Sequence, residues 1–193
     1  MFNKFYLSAC IIMILLIFSF SNNQASYLYL STLDELCKES QEIVICKAQS
    51  LNCYYDDEKK DIFTRIDFII QQNIKSHSLK GNQFTLTLIG GTVGEKSLIL
   101  PGAPTFEAGK EYLLMLTESA NLRFSNPYSI AGGDQGKFDI IDDNATKQKK
   151  IFRVDCKAIL KLNQNKDSEV IFNNEKEGIL LDSFISKLNL ILN

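Results

Sequence analysis

Two long stretches in the first half of the chain have the pattern of strands: Ile43–Tyr55, which begins with the apolar run Ile43–Cys46, and Ile62–Ile74, in which apolar and polar residues alternate. This period of two is typical of β-strands that turn one face toward water. The segment between them, 56–61, is a run of charged residues of the kind found in turns. The pattern therefore predicts two long strands, joined by a charged turn, in a sheet with one exposed face.

Shorter apolar segments follow, and glycine or proline residues separate them between Gly81 and Ile140. Short strands between such turns are typical of a small antiparallel barrel or sandwich. The predicted short strands are Phe84–Leu88, Lys96–Leu100, Glu111–Leu116, Tyr128–Ile130 and Lys137–Ile141. A further strand within 151–162 is predicted to return as a hairpin partner across the turn at 142–145.

Two segments have the period of an amphipathic helix. In Ser31–Ser40, Ser31 or Thr32 is the expected cap, and acidic residues occupy the first turn, where the helix dipole favours negative charge. At the other end, Ile179–Leu192 has apolar residues at helical spacing with polar residues between them. The sequence thus predicts a mainly β fold with a short N-terminal helix and a C-terminal amphipathic helix.

The first residues have the pattern of a secretory signal peptide. Lys4 supplies the positive charge, Ile11–Phe20 is the apolar run, and small or polar residues follow it. Cleavage fits after Ser21 and also after Ala25, and the apolar run is shorter than the ~20 residues of a spanning helix. We therefore predict a leader over 1–25, a single domain over 26–193, export to the periplasm or the medium, and no stable membrane anchor afterwards.

Composition narrows the class of ligand. Lysine and arginine total 21 and aspartate and glutamate total 23; the basic residues are scattered, so no nucleic-acid partner is expected. His77 is the single histidine, which argues against a histidine-rich metal site. Glu95 precedes Lys96 where a phosphate-binding loop has glycine, so Gly90–Ser97 is predicted to be a turn between strands. No cofactor and no metal are expected.

Four cysteines remain once the predicted leader and its Cys10 are removed: Cys37, Cys46, Cys53 and Cys156. An exported compartment permits disulfides, and the residues alone leave three pairings open. Cys46 lies in an apolar run and is expected to be buried as a small hydrophobic residue. We expect a bridge from Cys156 to either Cys37 or Cys53.

Several short motifs occur in a fixed order along the chain, and together they resemble a known group. They are Leu33–Leu36, Ile43–Ile45, Phe63–Thr64, Leu79–Gly81, Gly90–Gly94, Gly102–Phe106, Gly109–Leu114 and Gln135–Phe138. The set resembles a group of exported bacterial proteins of unknown function. That group distantly resembles the barrel of the tissue inhibitors of metalloproteinases and of netrin-like modules. The resemblance covers roughly Thr32–Ile141 and implies a five-stranded, partly open OB-like barrel.

The resemblance does not extend to the zinc-chelating group of those inhibitors. They act through a cysteine at the mature N-terminus, and here Asn22 or Ser26 would follow the cleavage site. We therefore expect no inhibition of a protease through zinc chelation. A metalloprotease bound in another way remains one candidate partner.

The function expected from these features is that of a non-catalytic binding module for a protein or peptide. Loops on a rigid barrel commonly carry function, which selects the Gly90–Gly94 and Pro101–Phe106 loops. The candidate binding residues are Thr92, Val93, Glu95, Thr105, Asp134 and Gln135. The alternatives are a structural cell-envelope protein that self-associates through its C-terminal helix, and a hydrolase that uses His77 or a carboxylate.

Overall fold

The computed structural model describes residues 31–56, 60–100, 103–119, 128–133, 135–153 and 178–193. Strands dominate these segments, so the predicted mainly β class is confirmed. The predicted leader, 1–25, lies outside the described residues, as does most of the segment 151–162 that was expected to form a long strand.

Two helices and ten strands are described. In chain order they are α1 (Leu33–Glu39), β1 (Glu42–Tyr55), β2 (Ile62–Lys75), β3 (Gln83–Ile89), β4 (Gly91–Val93), β5 (Lys96–Leu98), β6 (Glu111–Glu118), β7 (Tyr128–Ile130), β8 (Lys137–Asp143), β9 (Gln148–Phe152), β10 (Ile179–Leu180) and α2 (Leu181–Leu192).

Eight of the described strands form one sheet in the order β10-β9-β8-β6-β1-β2-β3, with β7 also paired to β6. Every pairing is antiparallel. β8 pairs with Glu111–Leu114 of β6, and β7 pairs with its far end, Leu116–Glu118. β4 and β5 form a separate hairpin. The sheet is not closed, and β3 and β10 are its end strands.

β1 contributes to two hydrophobic cores, because successive side chains of a strand point to opposite faces of the sheet, and its pairing is also irregular. The register with β2 shifts between Ile43 and Val44, between Ile45 and Cys46, and between Ala48 and Ser50. Such bulges bend a strand and increase its twist. One core lies on the helix side of the sheet and includes Ile43 and Ile45. The other is enclosed by the curved face and includes Val44 and Cys46.

The helices cover the first of these cores. Leu33, Leu36 and Cys37 of α1 are buried, as are Leu181, Phe184 and Leu188 of α2. Thr32 is the N-cap of α1: its side chain accepts a hydrogen bond from the Glu35 backbone N–H, and the Thr32 backbone N–H donates to the Glu35 carboxylate. This capping box satisfies amides that the first turn leaves without a helical partner.

The predicted strands are found with small changes in their ends, and three local features differ. Gly91–Val93 is a strand rather than part of a turn. The partner of β8 begins at Gln148, so the turn of that hairpin lies at 144–147. Ile179 and Leu180, predicted as helix, pair with β9 as β10 before α2 begins.

Candidate binding cavity

A cavity of about 360 Å³ opens on the curved face of the sheet near the end of β3. Its floor consists of Leu51, Ile66 and Leu88, one from each strand of the β1–β2–β3 meander. The β4–β5 hairpin and the following residues form one wall, and Ala103–Phe106 forms another. Parts of the two loops that the sequence singled out, residues 90–92 and 103–106, therefore line a common cavity.

Two glycines bring β4 against the end of the β1–β2 hairpin. Gly90 has φ 110° and Gly91 has φ 133°, a region that side chains other than hydrogen rarely allow. A Cβ on Gly91 would lie 2.4 Å from Thr64 Oγ1 and 2.8 Å from Cys53 Sγ. Thr64 also donates its hydroxyl hydrogen to the Gly90 carbonyl over 2.7 Å. The cavity wall is therefore fixed at this point by close backbone approach.

The β4–β5 hairpin carries three of the predicted binding residues in different settings. Thr92 lines the cavity, and its Oγ1 lies 2.8 Å from Ser97 Oγ across the hairpin. Val93 is half-buried, and Glu95 is exposed at the turn and is not among the cavity-lining residues. Only Thr92 of the three is thus placed to touch a molecule inside the cavity.

The second wall is anchored by aromatic packing. Phe106 is buried and meets Phe68 and Tyr112 edge-on, with ring centroids 5.3 Å and 5.0 Å away. The Glu107 backbone N–H donates to the Tyr112 hydroxyl oxygen over 2.8 Å. Edge-to-face pairs add stability beyond the burial of their area. These contacts hold Thr105, another predicted binding residue, at the cavity.

The buried Lys137 forms an ion pair with the half-buried Asp139 and lies against the same rings. Lys137 Nζ lies 5.4 Å from the Phe106 ring centre, 5.1 Å from that of Tyr112 and 2.9 Å from Asp139 Oδ1. A cation over an aromatic face is attracted by the ring quadrupole. Burial is the main cause that raises the pKa of Tyr112 to about 12. Tyr112 is therefore a neutral hydrogen-bonding group and not an acid or base near neutral pH.

The described lining of the cavity is mostly aliphatic and carries no charged side chain. Its polar groups are the Cys53 thiol and the hydroxyls of Thr64, Thr92 and Thr105. Ile99 stands at the edge with 83 % of its surface exposed. Such a lining suits an apolar group that makes few hydrogen bonds, because a charged ligand would lose its hydration without finding a partner.

The remaining predicted binding residues are not brought to the cavity. Gln135 is only 2 % exposed, and its Oε1 accepts hydrogen bonds from the Ser31 backbone N–H and from Arg153 Nη2. Gln135 thus joins the chain before α1 to the end of β9. Asp134 lies outside the described residues.

Three cysteines fall in the described part of the chain, and all are free thiols there. Cys37 is buried, and burial raises its pKa to about 11. Burial likewise raises the pKa of Cys46, as expected for a core cysteine. Cys53 is exposed and lines the cavity. The expected bridge to Cys156 stays a prediction, since Cys156 lies outside the described residues.

The floor of the cavity and the position of Cys53 were not predicted from the sequence. The alternation within β1 does place Leu51 and Cys53 on one face of the strand. The alternation does not indicate which residue from another part of the chain lies against Cys53. Gly91 approaches Cys53 because of the register between β3 and β2. This register pairs Ile89 with Phe63, so that the residues after β3 cross the end of the β1–β2 hairpin.

His77, the histidine of the hydrolase alternative, lies in a loop away from the cavity and is exposed. Its backbone N–H donates to the Glu42 carboxylate, with distances of 3.0 Å and 3.1 Å to the two oxygens. The described segments contain no group of three or more His, Cys, Asp or Glu side chains arranged to hold a metal ion. Within the same segments, neither helix is long and apolar enough to cross a membrane.

Comparisons with protein-family models, with curated proteins and with solved structures find no match to this chain. The resemblance to the exported bacterial group and to the inhibitor barrel therefore rests on the sequence motifs alone.

Proposed function

We propose that this protein is an exported, non-catalytic binding module that holds an apolar part of a protein or peptide partner in the cavity. The observation that carries the proposal is the cavity itself. The predicted loops meet there around an uncharged, mainly aliphatic lining, and Thr92 and Thr105 stand on its two walls. A metalloprotease remains one candidate partner, through a contact other than zinc chelation.

An OB-like barrel fits the order of the central strands. β1, β2 and β3 form a meander, β6 returns beside β1, and β8 follows on the other side of β6. This supports a five-stranded barrel left open between β3 and β8, with further strands and α2 added beyond β8. The cavity then lies on the β1–β2–β3 meander of the barrel, between two of its loops, and the mouths of barrels are common ligand sites.

The chemistry of the lining favours binding over catalysis. A nucleophilic cysteine or threonine needs a neighbouring base or a lowered pKa. The described lining supplies one thiol and several hydroxyls, but no carboxylate, imidazole or amine beside them. The hydroxyls of Thr64 and Thr92 are already within hydrogen-bonding distance of Gly90 and Ser97.

Cys53 offers a direct test, because it is the one exposed thiol among the described cysteines and it lines the cavity. In a Cys156→Ser background, the rate of maleimide labelling at Cys53 is measured with and without proteins captured from the cell envelope and the medium. Thr105→Trp narrows the cavity. Thr146→Trp is the control, because Thr146 is exposed in a turn and does not line the cavity.

A partner of the cavity slows labelling of Cys53, and Thr105→Trp abolishes this protection while Thr146→Trp retains it. The proposal is wrong if captured partners leave the labelling rate unchanged, or if Thr105→Trp binds them as well as the unaltered protein does.

A further inference from the structure

The outer edge of β3 carries no partner strand among the described residues. Its hydrogen-bonding pattern follows from two backbone contacts with β2. The Gly90 N–H donates to the Ile62 carbonyl, and the Ile70 N–H donates to the Asn82 carbonyl, both over 2.7 Å. In an antiparallel pair, alternate residues bond to the neighbour and the others point away. The residues that point away are Gln83, Thr85, Thr87 and Ile89.

This edge lacks the features that usually protect an end strand from pairing with another chain. Natural proteins use charged residues, proline, bulges or very short strands for that purpose. β3 has the sequence Gln-Phe-Thr-Leu-Thr-Leu-Ile, with no charge and no proline. Its pairing with β2 is regular from Phe63 to Ile69, without a bulge. A regular, neutral row of N–H and carbonyl groups therefore has no partner strand within the described segments.

The same strand leads into the cavity. Leu88 and Ile89 line it, and Leu88 belongs to its floor. In a sheet, a residue directly opposite another shares its face. A strand added to β3 would thus place the side chain opposite Leu88 on the cavity side of the sheet, beside Leu88.

We propose that β3 and the cavity form one site, at which a partner adds an extended segment to the sheet edge and inserts an apolar side chain into the cavity. The inference rests on the proposed function and specifies the partner as an extended peptide. The alternating partial charges of the edge complement another extended backbone, whereas a small apolar ligand would leave them unused.

The test uses the isotopically labelled protein and short synthetic peptides that alternate threonine with valine, leucine or phenylalanine and carry lysine at each end. Amide hydrogen exchange is followed by nuclear magnetic resonance. In the free protein, the amides of Thr85 and Thr87 exchange faster than those of Leu86 and Leu88, which bond to β2. The peptide slows exchange of Thr85 and Thr87 by about tenfold or more, since these amides gain hydrogen bonds.

Thr87→Pro is the decisive variant, because it removes an outward N–H and keeps the bonds to β2. Proline is tolerated at such a position on an edge strand. It weakens peptide binding by about tenfold, whereas the control Thr87→Val, which keeps the N–H, binds like the unaltered protein. A peptide methylated on alternate backbone nitrogens also loses binding, although its side chains are unchanged.

The outcomes separate this inference from the function on which it rests. Strand addition is wrong if the methylated and unmethylated peptides slow maleimide labelling of Cys53 equally. It is also wrong if the unmethylated peptide slows this labelling equally in Thr87→Pro and Thr87→Val. Either result leaves a cavity-binding protein. Slow exchange of Thr85 and Thr87 in the free protein overturns it as well. Sedimentation at several protein concentrations then identifies the cover. Self-association that accompanies the slow exchange shows that a second copy covers the edge, and a monomer shows that the chain covers it itself. Peptides that change neither exchange nor Cys53 labelling also contradict the inference.

Discussion

At the scale of single residues, Gly91 has a position that almost no other residue could fill. It combines a positive φ of 133° with a Cβ site that is already filled by Thr64 Oγ1 and Cys53 Sγ. Strain and steric conflict therefore act together on any side chain placed there. The sequence marked Gly91 as part of a turn, and the structure gives it the further role of fixing the cavity wall.

Gly91→Ala is predicted to lower the free energy of unfolding by about 3 kcal/mol, from backbone strain plus overpacking. The matched control is Gly94→Ala, which has φ 61° and no atom within 4 Å of the added Cβ. There we expect about 1 kcal/mol, since only the left-handed conformation opposes the side chain. Urea unfolding measures both variants, and equal losses would contradict the packing argument.

Several predictions from sequence hold at this scale because they depend on near neighbours. The cap at Thr32 is one, since its partner Glu35 is three residues away. The burial of Cys46 is another, because it lies in a continuous apolar run. Gln135 was selected as a loop residue, yet its hydrogen-bond partners include Ser31, which is distant in sequence. No local pattern could have indicated that contact.

At the scale of secondary-structure elements, the capping box decides the stability of α1, which has only 7 residues. Thr32→Ala should cost about 1 kcal/mol, because the first turn loses the side-chain acceptor for its amides. Thr32→Ser keeps an acceptor and should restore most of the loss. Thermal or urea unfolding of the three proteins checks the order, and a Thr32→Ser variant as unstable as Thr32→Ala would argue against capping.

The start of β1 is tied to the loop between β2 and β3 by a buried carboxylate. Glu42 is 0 % exposed and accepts backbone N–H groups from His77, Ser78 and Leu79. Burial raises its pKa, but the hydrogen bonds from Ser78, His77 and Leu79 together outweigh burial and hold the pKa below its ordinary value of 4.5. The carboxylate is thus stabilised in its charged form by the fold.

The sign of the pH dependence follows from this lowered pKa. Glu42 contributes stability at pH values above 4.5, its unfolded value, and the contribution is lost as the pH falls through the folded pKa. Glu42→Gln should therefore lower stability at neutral pH, by about 2 kcal/mol, and have a smaller effect in acid. Glu107→Gln is the control, since Glu107 is 68 % exposed in a surface ion pair. Urea unfolding at several pH values measures this, and parallel curves for Glu42→Gln and the unaltered protein would contradict it.

Strands were predictable where an apolar run or an alternation extends over many residues, as in β1 and β2 respectively. β4 was missed because its residues, Gly91–Val93, have the composition of a turn and pair only with the equally short β5. The beginning of β9 was missed because Gln148–Lys150 is polar, which suits a strand near the end of a sheet but gives no apolar signal. Short strands depend on their partners more than on their own residues.

At the scale of the whole molecule, one sheet separates two cores, and the cavity belongs to only one of them. Phe184 of α2 packs against Phe138 at 5.2 Å on the helix side. The lining residues Ile66 and Phe106 belong to the other core. The mainly β class was predictable from the sequence. The position of β3 as an end strand of the described sheet was not, because it depends on which strands pair with each other.

Phe184→Ala should lower the free energy of unfolding by about 4 kcal/mol, the usual cost of removing a buried ring. Because Phe184 lies across the sheet, maleimide labelling of Cys53 under native conditions should stay unchanged. Phe106→Leu is the comparison on the cavity side and should alter the labelling rate with a smaller loss of stability. A large change of Cys53 reactivity in Phe184→Ala would show that the cores are coupled.

The two-sided burial of β1 has a consequence for how neighbouring mutations combine. Val44 and Ile45 are adjacent, yet Val44 packs in the core of the curved face and Ile45 packs in the core beneath the helices. Energetic coupling normally arises between residues that share a cavity or a set of contacts. Val44→Ala and Ile45→Ala should therefore be nearly additive, although adjacent sites are where additivity usually fails. The packing of one core can thus change by substitution at Val44 or Ile45 without a change in the packing of the other core, although the two residues are adjacent.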